Sequence, residues 1–183
     1  MVRGKLTLRH AAPWLLLALT SLPAGGGTGT ATETLSATLS PVGALTTPAT
    51  ATLSKTTTTF LPFTATVPVN YQIRTTPTGS GGTITLKVAS DFSPSGGPAA
   101  ASGALTYVCS GANLGTACSG TQTASTTTST PVLTVPASAC TGGGGSCSSQ
   151  SPNSVNLNFT LVDSPVYPTG TYTANVTFTI SAT

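Results

Sequence analysis

Apolar and polar residues alternate along several stretches of the chain, most strictly over residues 63–73. One side of this alternation carries Phe63, Ala65, Val67, Val69, Tyr71 and Ile73. Alternation at period two places successive side chains on opposite faces of a β-strand, so this stretch predicts a strand with one buried face. Pro68 lies on the polar side and lacks a backbone donor, which predicts an edge or a bulge at that point.

Shorter stretches repeat this pattern, and turn-forming residues separate them. They cover residues 84–88, 105–109, 132–135, 155–161 and 172–180. Weaker alternation over residues 35–39 and 49–53 indicates two further short strands. Two antiparallel sheets packed face to face are the simplest way to bury so many one-faced strands. The predicted fold class is therefore all-β, an immunoglobulin-like antiparallel β-sandwich of seven to eight strands.

The first 27 residues have the pattern of a secretory signal peptide. The basic residues at the start are Arg3, Lys5 and Arg9. An apolar run over residues 11–22 follows, and it is shorter than the ~20 residues that a transmembrane helix needs. Small residues come next, with cleavage expected between Ala24 and Ala31. We therefore expect a secreted protein, located outside the cell or in the cell envelope (periplasm or surface).

The rest of the chain divides by the strength of its alternation. Residues 28–58 are rich in threonine and alternate weakly, so they predict an N-terminal segment with one or two weak strands. Residues 59–183 contain the strong strands and no linker between two domains. The predicted organisation is a signal peptide (1–27), this N-terminal segment (28–58) and one sandwich domain (59–183).

Charged residues make up 5% of the chain, against roughly 25% in an ordinary soluble domain. Once the signal peptide is removed, three basic side chains balance three acidic ones, so the net charge is zero. They are Lys55, Arg74 and Lys87 against Glu33, Asp91 and Asp163. A neutral chain of this kind offers no basic patch for nucleic acid or for an anionic membrane.

Catalytic side chains are scarce in the exported part. The one histidine, His10, belongs to the signal peptide, so imidazole-dependent catalysis near neutral pH is excluded. Asp91 and Asp163 each come shortly before a Ser-Pro pair and suit turns, while Glu33 lies near the expected new N-terminus. We predict a non-catalytic protein without a cofactor or a metal.

All four cysteines lie in the exported part, where an oxidising compartment favours disulfides. Four cysteines allow three pairings. Short separations favour Cys109 with Cys118 and Cys140 with Cys147, and the first pair is expected to close a hairpin loop. Each bridge stabilises by ~2–3 kcal/mol on the loop-entropy argument. The spacings are wider than the Cys-x-x-Cys pairs of zinc sites, so zinc is not expected.

Four tyrosines offer a candidate sugar-binding surface, since aromatic rings with a polar tip suit such contacts. Tyr71, Tyr107 and Tyr172 fall on the apolar faces of strands, so we expect them to pack in the core. Tyr167 stands between Val166 and Pro168 and is expected to be exposed in a loop.

The end of the chain resembles a known family. The stretch Gly170-Thr-Tyr-Thr-Ala-Asn-Val-Thr-Phe-Thr-Ile-Ser-Ala-Thr183 is similar to the closing strand of bacterial pilus-subunit and spore-coat-protein-U-like secreted domains. This resemblance implies an immunoglobulin-like sandwich that assembles by lending a strand to a neighbour. The candidate donor strand contains Leu35, Ala37, Leu39, Pro41 and Gly43. Alternatively, the same segment is the first strand of its own sandwich.

Two functions stay open at this point. The first is a structural protein of the surface, such as a fibre, pilus or coat subunit, that pairs with itself or with other envelope proteins through strand edges. The alternative is an extracellular module that binds carbohydrate or another ligand through the loops at residues 91–103 and 110–125. Neither function involves nucleic acid or a membrane span.

Overall fold

The computed structural model describes residues 33–56, 60–76, 78–137, 139 and 152–183. The predicted signal peptide and the pair Cys140 and Cys147 lie outside these residues. The chain divides into two units between Ala37 and Thr38. Residues 33–37 of the first unit form no helix or strand, and their side chains are exposed. The second unit contains the strands.

Nine strands occur in the described residues, and they confirm the all-β prediction with at least one strand more than expected. Their bounds are β1 Val42–Thr46, β2 Phe63–Arg74, β3 Gly82–Ser93, β4 Leu105–Ser110, β5 Thr116–Ala117, β6 Thr121–Thr123, β7 Thr130–Val135, β8 Asn153–Leu161 and β9 Thr173–Ala182. A 3₁₀ turn, Ala100–Ser102, lies between β3 and β4. The strong alternating stretches all form strands, because each turns one apolar face toward the core.

The strands form two antiparallel sheets that pack as a β-sandwich. The larger sheet has the order β1-β2-β8-β4-β6, and the smaller has the order β5-β7-β3-β9. The end strands β1 and β9 contact each other at one side of the sandwich, while β6 contacts β7 at the other side. The two sides therefore present different pairs of sheet edges.

The core lies between the inward faces of the two sheets. Its most deeply buried side chains include Val69, Tyr71, Leu86, Tyr107, Val132, Val155 and Leu157. The hydroxyl of Tyr71 donates to the carbonyl of Leu114, and the Tyr107 hydroxyl lies 2.8 Å from both Thr130 Oγ1 and the carbonyl of Pro131. Burial raises the pKa of both phenols, and the hydrogen bonds offset only part of the rise. The predicted core positions of these two tyrosines are confirmed.

The weak alternation near the N-terminus did not predict the positions of strands. Residues 35–39 and 49–53 form no strand, so both of those predictions were wrong. The first strand is β1, which lies between the two stretches and pairs with β2 over Thr46↔Asn70 to Val42↔Arg74. Gly43 therefore belongs to a strand of this chain's own sandwich.

Candidate functional site

The outer edge of β9 is the main unpaired feature of the sandwich. β9 pairs with β3 on one side, and no strand pairs with its other side in the part of the chain that the structure describes. Its ten residues contain neither proline nor a charged side chain. Proteins usually blunt such long, uncharged edges, because their free N–H and C=O groups are templates for another strand.

The inward face of β9 is also less buried than that of its neighbour. On β3, Ile84, Leu86 and Val88 are at most 1% exposed. Opposite Leu86 and Val88 in the ladder stand Phe178 and Val176 of β9, and both are only half-buried. The apolar side of β9 therefore faces a space that the protein does not fill.

This space is a groove of about 620 Å³ between the two sheets, here called the main groove. Its apolar lining comes from both sheets: Ala65, Val67, Phe92, Leu105, Phe159, Tyr172, Ala174, Val176 and Phe178. Residues 47–53 lie along it as well. Among the described residues, no charged side chain lines the groove, so it suits an uncharged occupant.

Residues 47–53, here called the strap, interrupt the edge of the larger sheet. The β1–β2 ladder ends at Thr46↔Asn70 and resumes at a single bridge, Ser54↔Thr64. Seven residues of the strap thus face only five residues of β2, so the strap has to leave the sheet. No backbone hydrogen bond joins the strap to β2 or β9 in the described residues. Pro68 lies in the stretch of β2 that pairs with β8 alone, so the edge predicted there is confirmed locally.

The two ends of the strap are fixed to the sandwich by packing and pairing. Leu45 and Leu53 are half-buried and pack against the core. Beyond Leu53, the backbone groups of Ser54 and Thr64 exchange two hydrogen bonds of 2.9 and 2.8 Å. Between these ends, residues 48–52 are exposed, and a cleft of about 510 Å³ separates the strap from β2 and β8.

An ion pair reinforces the far end of the strap. Lys55 Nζ lies 2.5 Å from Asp163 Oδ2, with side-chain exposures of 22% and 13%. The same ammonium group lies 4.8 Å from the centre of the Phe63 ring, where a cation is attracted to the ring face. Asp163 therefore ties the strap to the segment after β8, which the sequence did not predict because the two residues are 108 positions apart.

The predicted donor residues fall into two groups. Leu35 and Leu39 are 89% and 73% exposed, and Ala37 and Pro41 are also exposed. Gly43 instead pairs with Ile73 in β1, and a Cβ at Gly43 would come within 2.9 Å of the Ile180 side chain on β9. Glycine at this position thus permits the close approach of β1 and β9.

Asp91 organises the loop after β3, in agreement with its predicted role in a turn. Its carboxylate accepts hydrogen bonds from the backbone N–H groups of Phe92, Ala100 and Ala101 at 2.8, 2.7 and 3.0 Å. Burial alone raises the pKa of this carboxyl group, but the three donors outweigh it, so the pKa of Asp91 lies below its ordinary value. This carboxylate is thereby committed to a structural role.

The predicted bridge between Cys109 and Cys118 is present, with a Cα–Cα distance of 5.3 Å. The hairpin predicted for its loop is wrong, because β4 and β5 lie in different sheets. The intervening residues form a crossover, and the bridge links one sheet to the other. A sequence pattern could show the loop but not the sheet to which each end belongs.

The tyrosines do not form one exposed aromatic face. Tyr71 and Tyr107 are in the core. Tyr167 is half-buried rather than fully exposed as predicted. Tyr172 is half-buried in the lining of the main groove, and its hydroxyl donates to the carbonyl of Pro168 at 2.7 Å.

Comparison with known proteins gives no relative: no family model, no curated protein and no solved structure matches the chain. The class defined by the fold is thus an antiparallel β-sandwich of two sheets. Within the described residues, no three metal-binding side chains cluster. The same residues include no helix of the length and apolarity that a membrane crossing requires.

Proposed function

We propose that this chain is a non-catalytic, secreted or cell-surface structural protein, a subunit of a fibre, pilus or coat. Its assembly takes place when a strand from a neighbouring molecule pairs with the outer edge of β9. One observation carries the proposal: β9 has a ladder partner on one side only among the described strands, and its apolar face is half-exposed.

An added strand satisfies both features at once. Its backbone pairs with the free N–H and C=O groups of β9, while its alternate side chains enter the main groove. The groove accepts small and medium apolar side chains, since Ala174, Val176 and Phe178 alternate along its β9 wall. The absence of charged groups from the described lining favours a donor without charges at its inward positions.

The segment 35–41 of a second copy has these properties. Leu35, Ala37 and Leu39 alternate at period two. They give the donor three inward side chains, which match in number the three alternate β9 residues that line the groove. Burial of each leucine side chain contributes about 2 kcal/mol. Gly43 is outside this donor, because it lies in β1. The pilus-subunit resemblance of the C-terminal strand supports the same mode of assembly.

Size measurement of the purified exported chain tests this proposal. We expect concentration-dependent polymers from the unaltered chain and monomers from the double variant Leu35→Asn/Leu39→Asn. The matched control is Ser36→Asn/Thr38→Asn, which changes the opposite face of the same segment and should leave the polymers intact. Equal polymerisation of both double variants would exclude this donor, and a monomeric unaltered chain would contradict the proposed function.

A second function is favoured by the volume of the main groove. About 620 Å³ falls within the roughly 300–1,000 Å³ of small-molecule sites, and Tyr172 and Phe92 supply aromatic surface. The corresponding proposal is an extracellular module that binds carbohydrate or another neutral ligand. Retention of a monomer on insoluble polysaccharide, lost in Tyr172→Ala, is the expected result of this alternative.

A further inference from the structure

The strap lies along the groove that a donor strand would enter, yet it fills that groove poorly. Ala49, Ala51 and Leu53 of the strap line the main groove, and of these Leu53 packs against the core. Ala49 and Ala51 are exposed, and the main groove retains about 620 Å³ beside them. A small side chain on an unpaired segment is a weak competitor for an apolar groove.

We propose that the strap is a built-in, displaceable cover of the main groove, held shut by the Lys55–Asp163 ion pair, here called the latch. This inference rests on the proposed function, since it requires a strand as the incoming occupant. In the free molecule the strap shields part of the β9 wall. During assembly it moves away, while β1 stays paired with β2.

Displacement of the strap breaks few interactions. The strap has no ladder hydrogen bonds to lose within the described residues, and its main losses are the packing of Leu53 and the contacts at its far end. The near end is held by β1, which pairs with β2 and is itself fixed at its start, where Arg74 Nε donates to the carbonyl of Ser40 at 2.8 Å. The latch at the far end therefore controls how easily the cover opens.

The incoming segment gains what the strap lacks. It forms a ladder with β9 and brings Leu35 and Leu39, whereas the strap has Ala49 and Ala51. Replacement of the strap by the donor is therefore favourable once the donor is paired. In the free molecule this replacement begins slowly, because the latch has to open first. The cover thus keeps an adhesive edge shielded until a donor of the right pattern arrives, which is a known need of long edge strands.

The test uses Asp163→Asn, with Lys55→Met as a second variant that breaks the same contact. Lys87→Gln is the matched control, because Lys87 is exposed on the outward face of β3. Amide exchange of Ser54 and Thr64 measures opening of the latch, since their N–H groups form the adjacent bridge. For binding measurements, every protein also carries Leu35→Asn/Leu39→Asn, which keeps it monomeric. Binding of a synthetic peptide of the unaltered residues 33–41 to these proteins measures access to the main groove.

We expect both latch variants to exchange the two amides about fivefold faster and to bind the peptide more tightly by a similar factor, as for a moderately strong ion pair. The control should match the parent. Unchanged amide exchange, or equal peptide affinity for parent and latch variants, would overturn the inference while peptide binding itself still supports the proposed function. Peptide binding to none of the proteins would contradict the proposed function and the cover together.

Discussion

The two sides of the sandwich are closed in different ways. On the side of β4 and β5, the Cys109–Cys118 bridge links the sheets. The backbone also crosses there, since Ala124 donates to Leu105 of the larger sheet and Ser125 accepts from Val88 of the smaller sheet. On the side of β1 and β9, the described contacts are side-chain packing, the strap and one backbone hydrogen bond, from Thr76 N–H to the Thr183 carbonyl beyond the ends of β2 and β9. The difference separates stability, which the bonded side supplies, from assembly, which the open side permits.

The largest expected contrast comes from two neighbours in one ladder, Leu86 and Phe178. Leu86 is fully buried on β3, so Leu86→Ala should lower the free energy of unfolding by about 3 kcal/mol. Phe178 lines the main groove and is half-buried, so Phe178→Ala should cost about half as much in the monomer. Denaturant unfolding of monomers measures both values.

Assembly should respond in the opposite order. Phe178→Ala removes a wall of the groove and should abolish polymers, whereas any Leu86→Ala protein that stays folded should still polymerise. If Phe178→Ala costs as much stability as Leu86→Ala, then β9 is buried in the monomer and the two sides do not differ as described.

The next largest effect concerns the bonded side. The double variant Cys109→Ala/Cys118→Ala should lose about 2.5 kcal/mol of stability, from the entropy of opening a short loop. Guanidinium unfolding of the monomer measures this loss. Polymer formation by the folded protein should be unchanged, and its loss in a folded variant would show that assembly depends on the bonded side.

The sequence predicted the long strands better than the short strands and the strap. Strong alternation identified β2, β8 and β9, because each turns one apolar face inward, although the face of β9 is only half-buried. It missed β5 and β6, which are two and three residues long and bury little. It misplaced a strand at 49–53, because alternation there lacks a ladder partner: seven residues face five across the sheet.

The candidate site was only partly predictable for a related reason. The donor pattern of Leu35 and Leu39 can be read locally, as period two. The groove that would receive it is formed by strands far apart in sequence, and the Lys55–Asp163 contact spans 108 positions. Such long-range contacts depend on strand order, which alternation does not encode.

A smaller effect should follow when the strap is made to fill the main groove. Ala51→Leu should stabilise the monomer by about 1 kcal/mol, as cavity-filling substitutions commonly do, and should slow polymer formation. Thr46→Leu is the control and should do neither, because Thr46 is exposed on β1 and lies outside the groove lining. Faster assembly of the Ala51→Leu protein would show that the strap does not compete with the donor.

The smallest effect is the pH dependence of the loop after β3. Because the folded pKa of Asp91 is lowered, its carboxylate stabilises the fold fully above the ordinary carboxyl pKa, about 3.9. This contribution is lost as the pH falls through the folded pKa. In the Asp91→Asn variant, folding stability should therefore fall less as the pH is lowered through this range. Assembly at neutral pH should not change. An unchanged pH dependence of stability would mean that the three backbone donors contribute nothing to stability.

Residue-resolved amide exchange along β9 tests the central claim most directly. In the monomeric Leu35→Asn/Leu39→Asn protein, we predict that alternate amides of Thr173–Ala182 are protected by β3 and that the intervening ones exchange quickly. Addition of the 33–41 peptide should protect the second set as well. Protection of every β9 amide in the free monomer would contradict the account, because the edge would then already have a partner.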